Sequence, residues 1–160
     1  MSFNRAAVDS ELLKEFFIGC EEHLSEAESA FIDLEKHPSD IDIINDIFRH
    51  FHSVKGDAAA IGVDAVRILA HELETMLDKL REQTVTTTPE LLDILLEGLT
   101  LLQSQVLAIQ ENKPLPDIDG ILTKLSSYTA HEKSGDTMQS APTSAALDDM
   151  LVEETNSAAQ

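Results

Sequence analysis

The 160-residue sequence is poor in aromatic residues, cysteine and positive charge. It has no Trp and only one Tyr, so its core must be built mainly from Leu, Ile, Val and Ala, a mixture that favours helices over strands. Its one cysteine, Cys20, excludes an internal disulfide. With 30 acidic and 11 basic residues the net charge is -19, which repels nucleic-acid phosphates and anionic lipid headgroups. We therefore expect no nucleic-acid partner and no membrane partner.

Targeting and membrane signals are also lacking. The N-terminus has no continuous apolar segment followed by a small-residue cleavage site, and no apolar run is expected to reach the length that spans a bilayer. These features predict a soluble cytoplasmic protein. We also expect the isolated domain to be monomeric.

Apolar residues recur every three or four positions, which is the period of an amphipathic helix, and no alternating strand pattern is present. The first expected helix runs from Asp9 or Ser10 to about His37, and the second from a capping box at Ser39 and Asp42 to about Gly62. The third runs from a cap at Asp64 to about Arg81, and the fourth from Thr88 and Pro89 to about Gln110. A short fifth helix is expected after a cap at Asp117. Short connections between them predict an all-α fold, an antiparallel four-helix bundle with a short fifth helix.

The C-terminal part of the chain differs in composition from the rest. Residues 131–160 are poor in core-forming side chains and rich in Ser, Thr, Ala, Asp and Glu, so burial cannot offset the entropy lost on ordering. We expect a helical domain over residues 1–130 followed by a flexible acidic linker or tail over residues 131–160.

A polar cluster interrupts the apolar second helix around His52. On a helical wheel His52 lies about 100° from Phe51, at the edge of the apolar stripe, where it is anchored but accessible. Gly56 follows one turn later on the same face and costs about 1 kcal/mol relative to Ala, which invites a functional explanation. Its missing side chain leaves room for a group attached to the imidazole, and Lys55 can reach the negative charge of that group.

The third helix is expected to return alongside the second. If the two form a hairpin that turns near Gly62, His52 faces the region of His71 and Glu74. Glu74 can then accept a hydrogen bond from one imidazole nitrogen, which makes the other nitrogen the better nucleophile.

The segment RHFHSVKGDAAAIG resembles the H-S-x-K-G signature of histidine phosphotransfer domains. The segments LAHELETMLDKLRE and LLKEFFIGCEEHLSEAESAFIDLE resemble helices of the chemotaxis-kinase (CheA) subclass, and the resemblance covers about residues 10 to 126. It implies that His52 is phosphorylated and that Glu74 orients it. It also implies that Lys55 and His71 stabilise the phosphoryl group and that Gly56 gives access.

The resemblance further implies a phosphorelay of the two-component, chemotaxis type. A histidine kinase catalytic domain, in the same or another chain, transfers a phosphoryl group to His52, and a CheY-like response regulator receives it on an aspartate. The sequence has no nucleotide-binding motif, so ATP and magnesium are expected on the kinase and no cofactor or metal on this chain. No autonomous ATP-dependent activity is expected, and whether the chain itself counts as an enzyme stays open.

Two other functions remain alternatives. The chain could be a non-catalytic helical docking module for a response regulator, or a metal-binding bundle that uses His52, His71 and Glu74, although Lys55 is a poor neighbour for a cation. The other histidines are assigned no role: His23, His37, His50 and His131. Asp57 occupies a position where the resembled family more often has a small residue. Its carboxylate could repel phosphate or the acidic pocket of a partner, so the partner preference stays open.

Overall fold

A computed structural model describes residues 3–130 of the chain. A 3₁₀ turn at Arg5–Ala7 precedes five α-helices, which are α1 (Ser10–Lys36), α2 (Ile41–Ile61), α3 (Asp64–Arg81), α4 (Pro89–Gln110) and α5 (residues 119–130). The chain divides into two compact units, of which the first ends at Leu125 and contains the four long helices. The described residues of the second unit, 126–130, are helical. The expected all-α fold is confirmed, whereas the proposed tail at residues 131–160 lies outside the described residues.

The four long helices pack in a ring in which each contacts its neighbours along the chain, and α4 closes the ring against α1. Their short connections make consecutive helices antiparallel. The core is mainly aliphatic, as the composition predicts, with the rings of Phe31 and Phe51 6.1 Å apart between α1 and α2. The core therefore holds α2, the helix that carries the polar cluster, from both sides.

Three of the expected helix ends are confirmed. The Asp9 carboxylate accepts hydrogen bonds from the first backbone amides of α1, and the Thr88 hydroxyl accepts one from Leu91 at the start of α4. Gly62 ends α2 in the left-handed conformation, with φ of 79°, which glycine adopts without steric cost. This glycine sets the sharp turn that brings α3 back alongside α2.

Three predicted caps were wrong. Ser39 lies in a turn closed by a hydrogen bond from the Asp40 amide to the His37 carbonyl, so Asp40 caps α2 instead. Val63 precedes α3 and is buried, while Asp64 is already the first helical residue. Asp117 lies before α5, which begins at residue 119. At α2 the cap is still a preferred residue type, an aspartate one position after Ser39, whereas Val63 before α3 makes no side-chain capping bond.

Contrary to expectation, one helix of the described chain, α4, is long and apolar enough to cross a membrane by length and composition alone. Half of its most apolar window is buried inside the bundle. The buried apolar positions include Leu91, Leu92, Leu95, Leu99, Leu102, Val106 and Ile109. The hydrophobicity of α4 is thus accounted for in large part by its place in the core.

Two leucines of α4 test this assignment. Leu102 is fully buried and Leu107 is 51% exposed. We expect Leu102→Ala to lower the free energy of unfolding by about 2–5 kcal/mol, because it leaves a cavity. The control Leu107→Ala should change it by less than about 0.5 kcal/mol. Urea unfolding followed by circular dichroism measures both, and equal losses would contradict the assigned packing of α4.

Candidate functional site

The packing of α2 presents His52 to solvent. Phe51 and Val54 are fully buried on the core face of the helix, while the His52 side chain, one step around, is 62% exposed. Gly56 lies one turn further along, and a Cβ atom there would meet nothing within 4 Å. The outer edge of the imidazole is therefore open to a large incoming group.

The inner edge of the imidazole is held by α3. His52 Nδ1 lies 3.2 Å from Glu74 Oε1. A carboxylate can only accept a hydrogen bond, so Nδ1 must donate, and the neutral ring then carries its lone pair on Nε2. The arrangement leaves Nε2 as the nucleophilic atom of His52.

Lys55 completes the arrangement around Glu74. Its Nζ donates to Glu74 Oε1 at 3.0 Å and lies 2.8 Å from Oε2, in a pair whose side chains are only 25% and 12% exposed. Burial favours a raised pKa for Glu74, but hydrogen bonds from Lys55 and His52, together with their charges, outweigh it and hold that pKa below its usual value. Glu74 is therefore ionised at neutral pH and able to orient His52.

Two further side chains at this site were missed from the sequence. The Phe48 ring stacks on the His52 ring with centroids 6.2 Å apart and planes 11° apart. The Arg81 guanidinium lies 4.3 Å from the Phe48 ring centre and also pairs with Asp78. Phe48 continues the apolar stripe of α2 in the sequence, but its side chain is only half-buried. Its spacing of four residues from His52 was the signal that could have identified it.

His71 is on the same helix as Glu74, but the structure does not bring it into the hydrogen-bonded cluster. Its side chain is 55% exposed, and its Nδ1 lies 3.7 Å from Glu72 Oε1. Within residues 3–130, the group of His, Cys, Asp and Glu side chains close enough to share a metal ion is His23, Glu26 and His50. The geometry therefore does not support the metal alternative that combined His71 with His52 and Glu74.

Asp57 points towards α1, away from His52. A Cβ atom added at Gly19 would lie 3.1 Å from Asp57 Oδ2. Burial raises the pKa of Asp57, and the charge of His23 lowers it in part. Burial, followed by the charge of Asp57, raises the pKa of the Cys20 thiol to about 12. The Asp57 carboxylate therefore lies towards α1 and not beside the His52 imidazole.

Known proteins are similar to this chain in sequence and in fold. The sequence model of the Hpt domain family matches residues 11–111. The chemotaxis protein CheA of Bacillus subtilis is 32% identical over 146 residues, which are 91% of this chain and 22% of that protein. The chain thus spans about a fifth of the length of this curated relative.

Two solved structures share the fold. The CheA phosphotransferase domain from Thermotoga maritima is 33% identical, with a TM-score of 0.61, over 64% of this chain and 98% of that one. The phosphorylated P1 domain of CheA3 from R. sphaeroides, solved in complex with CheY6, is 18% identical with a TM-score of 0.65, over 78% of this chain and 97% of that one. At 18% identity the second comparison supports the fold alone.

The lowered pKa of Glu74 predicts a pH-dependent contribution to stability. A carboxylate with a lowered pKa in the folded state stabilises the fold above its unfolded pKa of about 4.3, and this contribution is lost as the pH falls through the folded value. We expect Glu74→Gln to cost about 1–3 kcal/mol at pH 7 and progressively less below pH 4. Urea unfolding between pH 7 and pH 3 measures this dependence.

Glu72→Gln is the matched control, because Glu72 is on the same helix with its side chain 46% exposed. It should change stability by less than about 0.5 kcal/mol at every pH. A constant cost of Glu74→Gln from pH 7 to pH 3 would contradict the ion pair with Lys55.

Proposed function

The chain belongs to the histidine phosphotransfer (Hpt) domain family, and from that premise we propose that it accepts a phosphoryl group on His52 Nε2 and passes it to a partner. The observation that carries the proposal is the state of the imidazole: Nδ1 is bound to Glu74 while the ring is 62% exposed. A nucleophile needs a free lone pair and an open approach, and His52 has both.

In the first transfer, the Nε2 lone pair attacks the γ-phosphorus of ATP. A nitrogen–phosphorus bond forms, the bond from phosphorus to the oxygen that bridges to ADP breaks, and ADP leaves with that electron pair. Nδ1 keeps its proton, so the ring of the product is positively charged. The Glu74 carboxylate, 3.2 Å away, stabilises that charge as it develops.

Lys55 and Gly56 have different tasks in this proposal. Lys55 holds Glu74 in its ionised form and lies one turn of helix from His52, within reach of the phosphoryl oxygens once they are attached. Gly56 keeps the approach to Nε2 open, because nothing occupies the space where its Cβ would be. His71, on α3 with its side chain 55% exposed, keeps the role that the resemblance implies, that of a neighbour which stabilises the bound phosphoryl group.

We propose a CheA-type kinase catalytic domain, in the same or another chain, as the donor, with ATP and magnesium bound there. The supporting observation is the similarity to CheA proteins, of which this chain spans about a fifth. In this scheme the domain has no ATP-dependent activity of its own and works in the cytoplasm, where the ATP is.

A CheY-like receiver is the proposed acceptor. The structure of the R. sphaeroides CheA3 P1 domain with CheY6 describes such a complex for a protein of the same fold. An aspartate oxygen of the receiver attacks phosphorus, the nitrogen–phosphorus bond breaks, and its electron pair returns to Nε2. The half-buried Phe48 and the neighbouring Arg81 give this face an apolar and cationic surface beside the reacting atom.

The relay is tested by substituting His52. After incubation with a CheA-type kinase core, ATP and magnesium, we expect one acid-labile phosphate per chain by mass spectrometry, and none in His52→Gln. The exposed His37, at the end of α1, supplies the control His37→Gln, which should be labelled as wild type. Labelling that persists in His52→Gln would contradict the proposal, and receiver binding without any labelling would favour the docking module.

Gly56→Ala separates the effect of Gly56 on access to His52 Nε2 from its effect on the stability of α2. Since nothing obstructs a Cβ at this position, the substitution should stabilise α2 by about 1 kcal/mol, as alanine is the better helix former. The added methyl group narrows the approach to Nε2, so we expect phosphorylation to slow by roughly tenfold or more. Gly120→Ala, which also meets nothing within 4 Å, should be phosphorylated as wild type. Phosphorylation of Gly56→Ala at the wild-type rate would contradict the role given to Gly56.

A further inference from the structure

A second pair of histidines faces each other between α1 and α2, away from the site at His52. His23 Nδ1 lies 3.2 Å from His50 Nδ1, and the ring centres are 5.5 Å apart. His50 comes two positions before His52, which places it about 200° around α2. The His50 side chain is only 13% exposed, so the pair is held in the seam between the helices.

Each helix also brings a carboxylate to this pair. His50 Nε2 lies 3.4 Å from Glu26 Oε2, three positions after His23 on α1, and 3.7 Å from Asp46 Oδ2, four positions before His50 on α2. The Asp46 carboxylate favours a proton on His50 Nε2, which directs the lone pair of its Nδ1 towards His23. A carboxylate behind an imidazole in this way is the usual support of a metal-binding histidine.

We propose that His23, His50 and Glu26 bind a divalent transition-metal ion of the zinc type, which ties α1 to α2. One nitrogen of each ring and one Glu26 oxygen lie within 4.8 Å of one another. In a tetrahedral zinc site with bonds of about 2.0–2.1 Å, two nitrogen ligands are separated by about 3.3 Å, and the two Nδ1 atoms are 3.2 Å apart. Glu26 supplies the third ligand and water the fourth.

The side chains around the pair suit this assignment. Glu26 is 56% exposed and free to turn its carboxylate to the ion, while Asp46 stays near His50 Nε2 to hold the ring. Asp57 adds negative charge near His23, and the Arg49 guanidinium is paired with Asp46 Oδ1. Two imidazoles and a carboxylate select zinc, copper or nickel over magnesium and calcium, which prefer oxygen ligands alone.

Without a metal, the same contact would be a hydrogen bond from one neutral ring to the other. The two explanations differ in what they predict on adding zinc. We would titrate the metal-free 160-residue chain, made without a histidine tag, with ZnCl₂ by calorimetry. We expect one zinc per chain, affinity at least tenfold weaker in His23→Gln and in His50→Gln, and a rise in melting temperature that both variants lack.

His37→Gln is the control for an exposed histidine elsewhere and should bind zinc as wild type. Circular dichroism verifies that each variant is folded, and if His50→Gln is not, the less demanding His23→Gln and Glu26→Gln carry the test. Nitrogen-15 spectra of the imidazoles should show zinc shifting Nδ1 of His23 and His50. Absence of saturable binding, unchanged affinity in His23→Gln, or shifts confined to other histidines would overturn the proposal.

Discussion

The packing of α2 into the bundle is the constraint on which the rest of the site depends. Ile44, Ile47, Phe51, Val54 and Ala58 are all fully or almost fully buried, and together they fix the rotation of the helix about its axis. A rotation of one residue would move each polar side chain about 100°. The same apolar stripe therefore exposes His52, turns Lys55 towards α3 and places His50 against α1, and no separate interaction is needed to aim each of them.

The electrostatics of Glu74 follow from that packing. At 12% exposure its carboxylate has lost much of its hydration, which alone would favour the protonated acid. Lys55 restores the charged form, and only the charged form is a pure acceptor that fixes the proton on His52 Nδ1. Lys55 thus acts on His52 through Glu74, so that one partly buried carboxylate links a cation on α2 to a histidine on the same helix.

The sequence predicted features that depend on spacing within one helix or across one tight turn. The left-handed Gly62 and the hairpin it allows were enough to bring Glu74 to His52, and proline at Pro89 was enough to start α4. Side-chain contacts between two neighbouring helices were not predictable in this way. Arg81 could be given a place at the end of α3, but its reach to Phe48 depends on the angle between two helices. The His23 and His50 pair depends likewise on the register of α1 against α2, which periodicity does not determine.

The charge of the chain limits what the domain can do by itself. In the proposed relay the transferred group and its donor are anionic, and a net charge of -19 opposes their approach. The Lys55 ammonium, which belongs to the hydrogen-bonded cluster beside His52, is largely neutralised by Glu74. Arg81 is divided between Asp78 and the face of Phe48. In the proposed relay, neutralisation of phosphate charge would therefore come mainly from the partner, whereas this domain would supply an oriented nitrogen and an unobstructed approach to it. That division of tasks would allow a bundle without a nucleotide-binding motif to take part in phosphoryl transfer, with the partner stabilising the charge and this chain providing the nucleophile.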